Sequence, residues 1–188
     1  MWFNMNYIKK LKEELQKLPD GSIVFLETTE EKVFELGLLS VKRFSDKNYS
    51  GIIVSANRPY QNLVNLYKKN GINVDKMFFL DCISKNLNGQ IRADNVTFIE
   101  NLSSLTDISL SIHKQINNGH GNKKFIFFDS ITTMLIHNKP YVFVRFIHSI
   151  LTKMRLNSIG GILISLTGDK NNEIRADIAQ LCDKIITI

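Results

Sequence analysis

The chain has 188 residues, of which 44% are hydrophobic, 10% aromatic and 22% charged, and its net charge is +6. That size and balance suit one globular domain over residues 1–188 and exclude disordered and fibrous classes. No apolar run is long enough to cross a bilayer and the start lacks the blocks of a signal peptide, so the expected location is the cytoplasm.

Residues 1 to 7 carry Trp2, Phe3, Met5 and Tyr7. Four large apolar side chains at a terminus need cover, from their own domain or from a neighbouring copy, and they mark a candidate association element. Ile8 to Leu18 reads as an amphipathic helix with Ile8, Leu11, Leu15 and Leu18 on one stripe, ended by Pro19-Asp20-Gly21. The sheet core is expected from residue 19 onward. Ser22 to Glu27 reads as a buried strand, Glu30 to Phe44 as a helix, Gly51 to Ser55 as a strand, and the helix opened by Pro59 as ending at Asn70-Gly71.

Met77 to Asp81 is a third strand, Asn86 to Asp94 a polar loop, and Val96 to Glu100 a short strand. Ser103 or Ser104 is expected to cap a helix that runs to about Asn118. Lys124 to Ser130 (Lys-Phe-Ile-Phe-Phe-Asp-Ser) is apolar without alternation until Asp129, the pattern of a strand buried on both faces of a parallel sheet. Pro140 to Leu156 is a long helix, Gly161 to Leu166 a strand, Glu173 to Cys182 a helix and Lys184 to Ile188 a last strand. Strands alternating with helices predict an α/β architecture with right-handed crossovers and a mostly parallel central sheet covered on both faces.

Charge and cysteine usage narrow the chemistry. Lys9, Lys10, Lys12 and Lys17 are interleaved with Glu13 and Glu14 as on a solvated helix face, and no basic run with stacking aromatics supports a nucleic-acid surface. Cys82 and Cys182 lack metal-ligand spacing and are expected as buried free thiols. His113, His120, His137 and His148 show no ligand spacing either, so they are expected as solvated or satisfied histidines, and no metal is expected.

Three stretches carry a resemblance. They are Leu18 to Glu27 (Leu-Pro-Asp-Gly-Ser-Ile-Val-Phe-Leu-Glu), Phe78 to Ser84 (Phe-Phe-Leu-Asp-Cys-Ile-Ser) and Phe125 to Thr133 (Phe-Ile-Phe-Phe-Asp-Ser-Ile-Thr-Thr). In order and spacing the chain from about Leu18 to its end resembles the RecA-like ATPases of the P-loop NTPase type, and most of all the archaeal KaiC-like group. Phe125 to Thr133 looks like the Walker B strand with its continuation. The resemblance implies a three-layer fold in which the strands run third, second, Walker B, Gly161 strand, first, last.

It also implies a nucleotide site that this chain does not keep. A Walker A loop, Gly-x-x-x-x-Gly-Lys-Ser/Thr, needs glycines so that backbone amides close around phosphates. Here the first strand is followed by Thr28-Thr29-Glu30-Glu31-Lys32-Val33, without glycine and with Val33 where a magnesium-binding hydroxyl belongs. Relatives that hydrolyse ATP carry a Glu after the second strand, where this chain has Ser55-Ala56-Asn57-Arg58.

Thr28, Thr29, Lys32, Asp129 and Ser130 are therefore the expected members of a vestigial nucleotide site, with no catalytic residue among them. Asp129 is expected to cap the turn that follows it. The leading expectation is a non-catalytic regulatory or protein-interaction subunit without a cofactor, bound to a protein partner or to its own copies. One alternative is an irregular site for ATP and magnesium, and another is single-stranded nucleic-acid binding.

Overall fold

The computed structural model describes residues 3–84, 93–118, 123–168 and 172–188, with side chains from residue 6 onward. Trp2, His120 and most of the Asn86 to Asp94 loop lie outside the described residues. In chain order the elements are α1 (Phe3–Gln16), β1 (Ile23–Thr28), α2 (Glu30–Asp46), β2 (Ser50–Ser55) and α3 (Tyr60–Lys69). A 3-10 turn (Val74–Lys76) leads into β3 (Met77–Asp81) and β4 (Val96–Phe98), followed by α4 (Leu105–Asn117), β5 (Lys124–Phe128) and α5 (Ile131–Ile136). The remainder is α6 (Pro140–Leu156), β6 (Gly160–Leu166), α7 (Asn172–Gln180) and β7 (Lys184–Thr187).

The seven strands form one sheet in the order β4-β3-β2-β5-β6-β1-β7, and every neighbouring pair is parallel. This is the order the resemblance implies, with β4 added outside β3. Because side chains alternate across a strand, each unbroken apolar run supplies two cores at once. Ile23, Phe25, Ile52, Val54, Ile126 and Phe128 pack under α4, α5, α6 and α7. Val24, Leu26, Ile53, Phe79, Phe125 and Phe127 pack under α1, α2 and α3.

Two glycines serve the backbone here. Gly21 turns the chain into β1 at φ +86°, a conformation that costs other residues energy. Gly161 lets β6 lie close to β5, since a Cβ on it would fall 2.3 Å from the backbone oxygen of Ile126. At the start of β1, Asp183 joins three elements. Its Oδ2 accepts from the Ile23 amide at 2.8 Å and its Oδ1 from Arg155 at 2.7 Å.

Several local expectations are corrected. The first helix starts at Phe3 rather than Ile8 and ends at Gln16, where a turn from Leu18 N to Leu15 O takes over before Pro19. A short helix, α5, separates β5 from Pro140; Ser130 caps it by accepting from the Thr133 amide at 3.1 Å. Ser104 stands before α4 but gives it no side-chain bond, and the hydroxyls of Ser103 and Ser104 instead donate back to Asn101 Oδ1.

Both cysteines are free, yet Cys182 is only half-buried while Cys82 is buried. Burial pushes both thiols up, Cys182 to about 12. His137 and His148 are exposed, and His113 is half-buried, with its Nε2 buried and without a partner among the described residues. Among the described residues no helix is long and apolar enough to cross a membrane.

Candidate functional site

The carboxyl ends of β1, β2, β5 and β6 share one edge of the sheet, the edge at which open α/β folds bind ligands. A cavity of about 490 Å³ opens there, between α2, α3, α5 and the ends of β5 and β6. One stripe of α2 faces it through Glu30, Val33, Phe34 and Gly37, and Asn57, Arg58, Asp129, Thr133 and Thr167 bring polar groups to it. Of the five residues expected in a vestigial nucleotide site, Asp129 alone lines this cavity.

Asp129 follows β5 and turns back across the edge rather than forward. Its Oδ1 accepts from the Ala56 amide at 2.8 Å, and its Oδ2 accepts from the Asn57 amide at 3.2 Å and lies 3.0 Å from the Ser55 hydroxyl. The expected cap of the following turn is thus corrected. Ser130 does that work, and Asp129 holds the connection between β2 and α3, because that connection presents unpaired amides directly across from the end of β5. Burial pushes the Asp129 carboxyl up to about 6, against the pull of its bonds from Ala56, Ser55, Asn57 and Ser130.

Asp81, at the end of β3, grips the same connection from the other side. Its Oδ2 accepts from the Tyr60 amide at 2.7 Å, and its Oδ1 accepts from the amides of Ile83 and Ser84 at 2.8 and 2.9 Å. Both strand-end carboxylates spend their oxygens on backbone donors. Their chemical effect is to shape the mouth of the cavity.

Thr29 alone connects β1 to α2. The amides of Lys32 and Val33 already bond to Thr29 O at 3.1 and 3.0 Å, and Glu30 and Glu31 occupy the first turn of α2. Thr28 is buried with its hydroxyl unpartnered among the described residues, and Thr29 gives no side-chain cap there. Lys32 points the other way, with Nζ 5.4 Å from the centroid of the Tyr7 ring on α1. Tyr7 in turn donates its hydroxyl to Glu35, so it lies against α2 of its own chain. Phe3 and Met5 are in α1, with side chains outside the described residues.

Sequence reasoning passed over Arg58. Its guanidinium lies 4.3 Å from the centroid of the Phe34 ring, half-buried, and has no hydrogen-bond acceptor or ion pair among the described residues. Thr132 and Thr133 were likewise absent from the expected site. Thr132 Oγ1 accepts from the Leu166 amide at 2.9 Å, and Thr133 Oγ1 donates to Asn57 Oδ1 at 2.8 Å. The signal was the Thr132-Thr133 pair after the Asp129-Ser130 step, which puts hydroxyls on the first turn of α5. Among the described residues no three His, Cys, Asp or Glu side chains gather as a metal set.

No protein-family model matches the chain, and no curated protein matches its sequence. Solved structures do match its fold. An uncharacterized protein from Pyrococcus horikoshii, crystallised in complex with an unknown peptide, superposes with a TM-score of 0.67 at 14% identity, covering 96% of this chain and 82% of that one. A KaiC-like protein from the hyperthermophilic archaeon Pyrococcus horikoshii OT3 superposes with a TM-score of 0.58 at 14% identity, covering 90% and 73%. The parallel sheet and its covering helices define a RecA-type α/β fold of the KaiC-like kind.

Proposed function

We propose that this chain is a non-catalytic RecA/KaiC-like domain, with a degenerate phosphate loop, that acts by binding protein as a regulatory or interaction subunit. The observation that carries this reading is the connection from β1 to α2. Thr29 alone spans it, Glu30 and Glu31 follow at once, and Lys32 is turned toward Tyr7. A triphosphate at that place would meet two carboxylates, and at an effective dielectric near ~20 like charges a few ångströms apart repel by kilocalories. Nor is there a carboxylate after β2 to activate water, where Ser55 to Arg58 form the connection held by Asp129.

Polypeptide as the partner is supported by the neighbour of this fold that was solved with an unknown peptide. In this reading residues 1–7, with Trp2, Phe3, Met5 and Tyr7, are the association element, and Tyr7 also ties α1 to α2. Nucleotide is the test. A ligand that binds only the folded state raises its stability by mass action, by about 2.7 kcal/mol at a hundredfold excess over the dissociation constant. Millimolar ATP with magnesium is expected to leave the melting temperature unmoved and to release no phosphate above a blank. An upward shift that Lys32→Ala abolishes would overturn the reading in favour of an irregular ATP site.

A further inference from the structure

Protein interiors pack as densely as organic crystals and leave few voids larger than a water molecule. The cavity of about 490 Å³ beside α2 opens to the surface at the sheet edge and is far larger than such voids. Its volume lies within the range of small-molecule sites, roughly 300–1,000 Å³, which are mostly apolar with a few converging polar groups. Val33, Phe34, Leu63, Tyr67, Phe127 and Ile164 supply apolar wall, and Ile136, 68% exposed, gives the mouth an apolar lip.

Apolar walls select an apolar body, and the head group is decided by charge. Arg58 stacks on Phe34 at the mouth, and its guanidinium is without an acceptor among the described residues. A planar fork of five N–H donors matches a carboxylate in two-point contact. Two acids also line the cavity, and neither neutralises Arg58. Glu30 is exposed in the first turn of α2, and Asp129 is occupied by Ala56, Asn57 and Ser55. A guanidinium held over an aromatic face and without an acceptor among the described residues can receive an anion there.

We propose that this cavity binds an amphipathic organic acid, with its apolar body between α2 and the sheet and its carboxylate on Arg58. The proposal rests on the non-catalytic reading, because the acid takes the sheet edge that a nucleotide would otherwise use. The test uses the full chain and the dye 1-anilinonaphthalene-8-sulfonate, an apolar body carrying an anion. Dye fluorescence is expected to saturate at one dye per chain. Decanoate should displace the dye at concentrations about tenfold or more below those of decanol or decylamine, as befits a charge-assisted contact.

Val33→Phe fills the cavity from a half-buried position and should abolish saturable binding, with the fold confirmed by circular dichroism. Arg58→Gln should weaken decanoate by about tenfold and leave decanol unchanged, which decides the matter even where Val33→Phe fails to fold. Decanol competing as well as decanoate, or an Arg58→Gln variant that still prefers decanoate, would overturn the proposal. Displacement of the dye by magnesium ATP that Lys32→Ala abolishes would instead overturn the non-catalytic reading. Absence of saturable dye binding removes the acid site alone and leaves that reading standing.

Discussion

Asp129→Asn separates the two opposing influences on the carboxylate that ties β5 to the β2–α3 connection. Asparagine keeps the shape and one acceptor oxygen for the Ala56 amide but turns an amide group toward the Asn57 amide, a loss of roughly 1–3 kcal/mol at every pH. What varies with pH is the charge. The folded-state value of about 6 lies above the ordinary 3.8, so between the two the folded protein binds more protons than the unfolded chain. Stability from this group is therefore full below the lower value and is lost as pH rises through the upper one.

The rise from 3.8 to about 6 corresponds to about 3 kcal/mol in total. About 2 kcal/mol of it should appear between about pH 7.5 and about pH 4.5. Urea denaturation of both proteins at several pH values gives the difference directly, and the subtraction cancels every group that the two share. The wild type should gain about 2 kcal/mol on the variant over that acid range. A difference that is flat with pH, or one in which the wild type gains toward alkaline pH, would refute burial as the dominant influence and leave the hydrogen bonds in command.

Three other outcomes can be checked. Gly161→Ala would press a methyl group onto the Ile126 carbonyl, which belongs to the ladder and cannot yield, and should cost about 3 kcal/mol or more by denaturation. Ser130→Ala removes the cap of α5 and should cost about 1 kcal/mol, with little change when Thr replaces Ser. Deleting residues 1–7 should lower the molar mass measured by light scattering to that of a monomer; an unchanged mass with reduced stability would show that the segment serves only its own chain.

Much of the sheet was legible because both-face burial leaves unbroken apolar runs such as Phe125 to Phe128, and the likeness supplied their order. The same runs say nothing about direction at the edges. Asp129 looked like a cap for its own turn because local partners are the ones a sequence displays, whereas most of its donors lie more than seventy residues earlier. Lys32 was legible as a residue after β1 but not as one turned toward α1, since that depends on Tyr7 packing on the same face. The start of α1 was missed because Asn4 and Asn6 break the apolar stripe before Ile8. Arg58 was unreadable for a related reason: its meaning comes from Phe34, which is adjacent only once α2 lies over the sheet.

The position of β1 bears on how the chain is made. Both of its neighbours come late, with Ile23 opposite Gly161 on one side and Val24 opposite Lys184 on the other. While a ribosome is still producing the intervening stretch, β2, β3 and β5 can assemble, but β1 has nothing to pair with. At about 5–20 residues per second its buried run Ile23 to Leu26 waits on the order of ten seconds as an unprotected apolar segment. Incorporation of β1 is thus deferred until β6 has been made, and its apolar run stays exposed to aggregation until then.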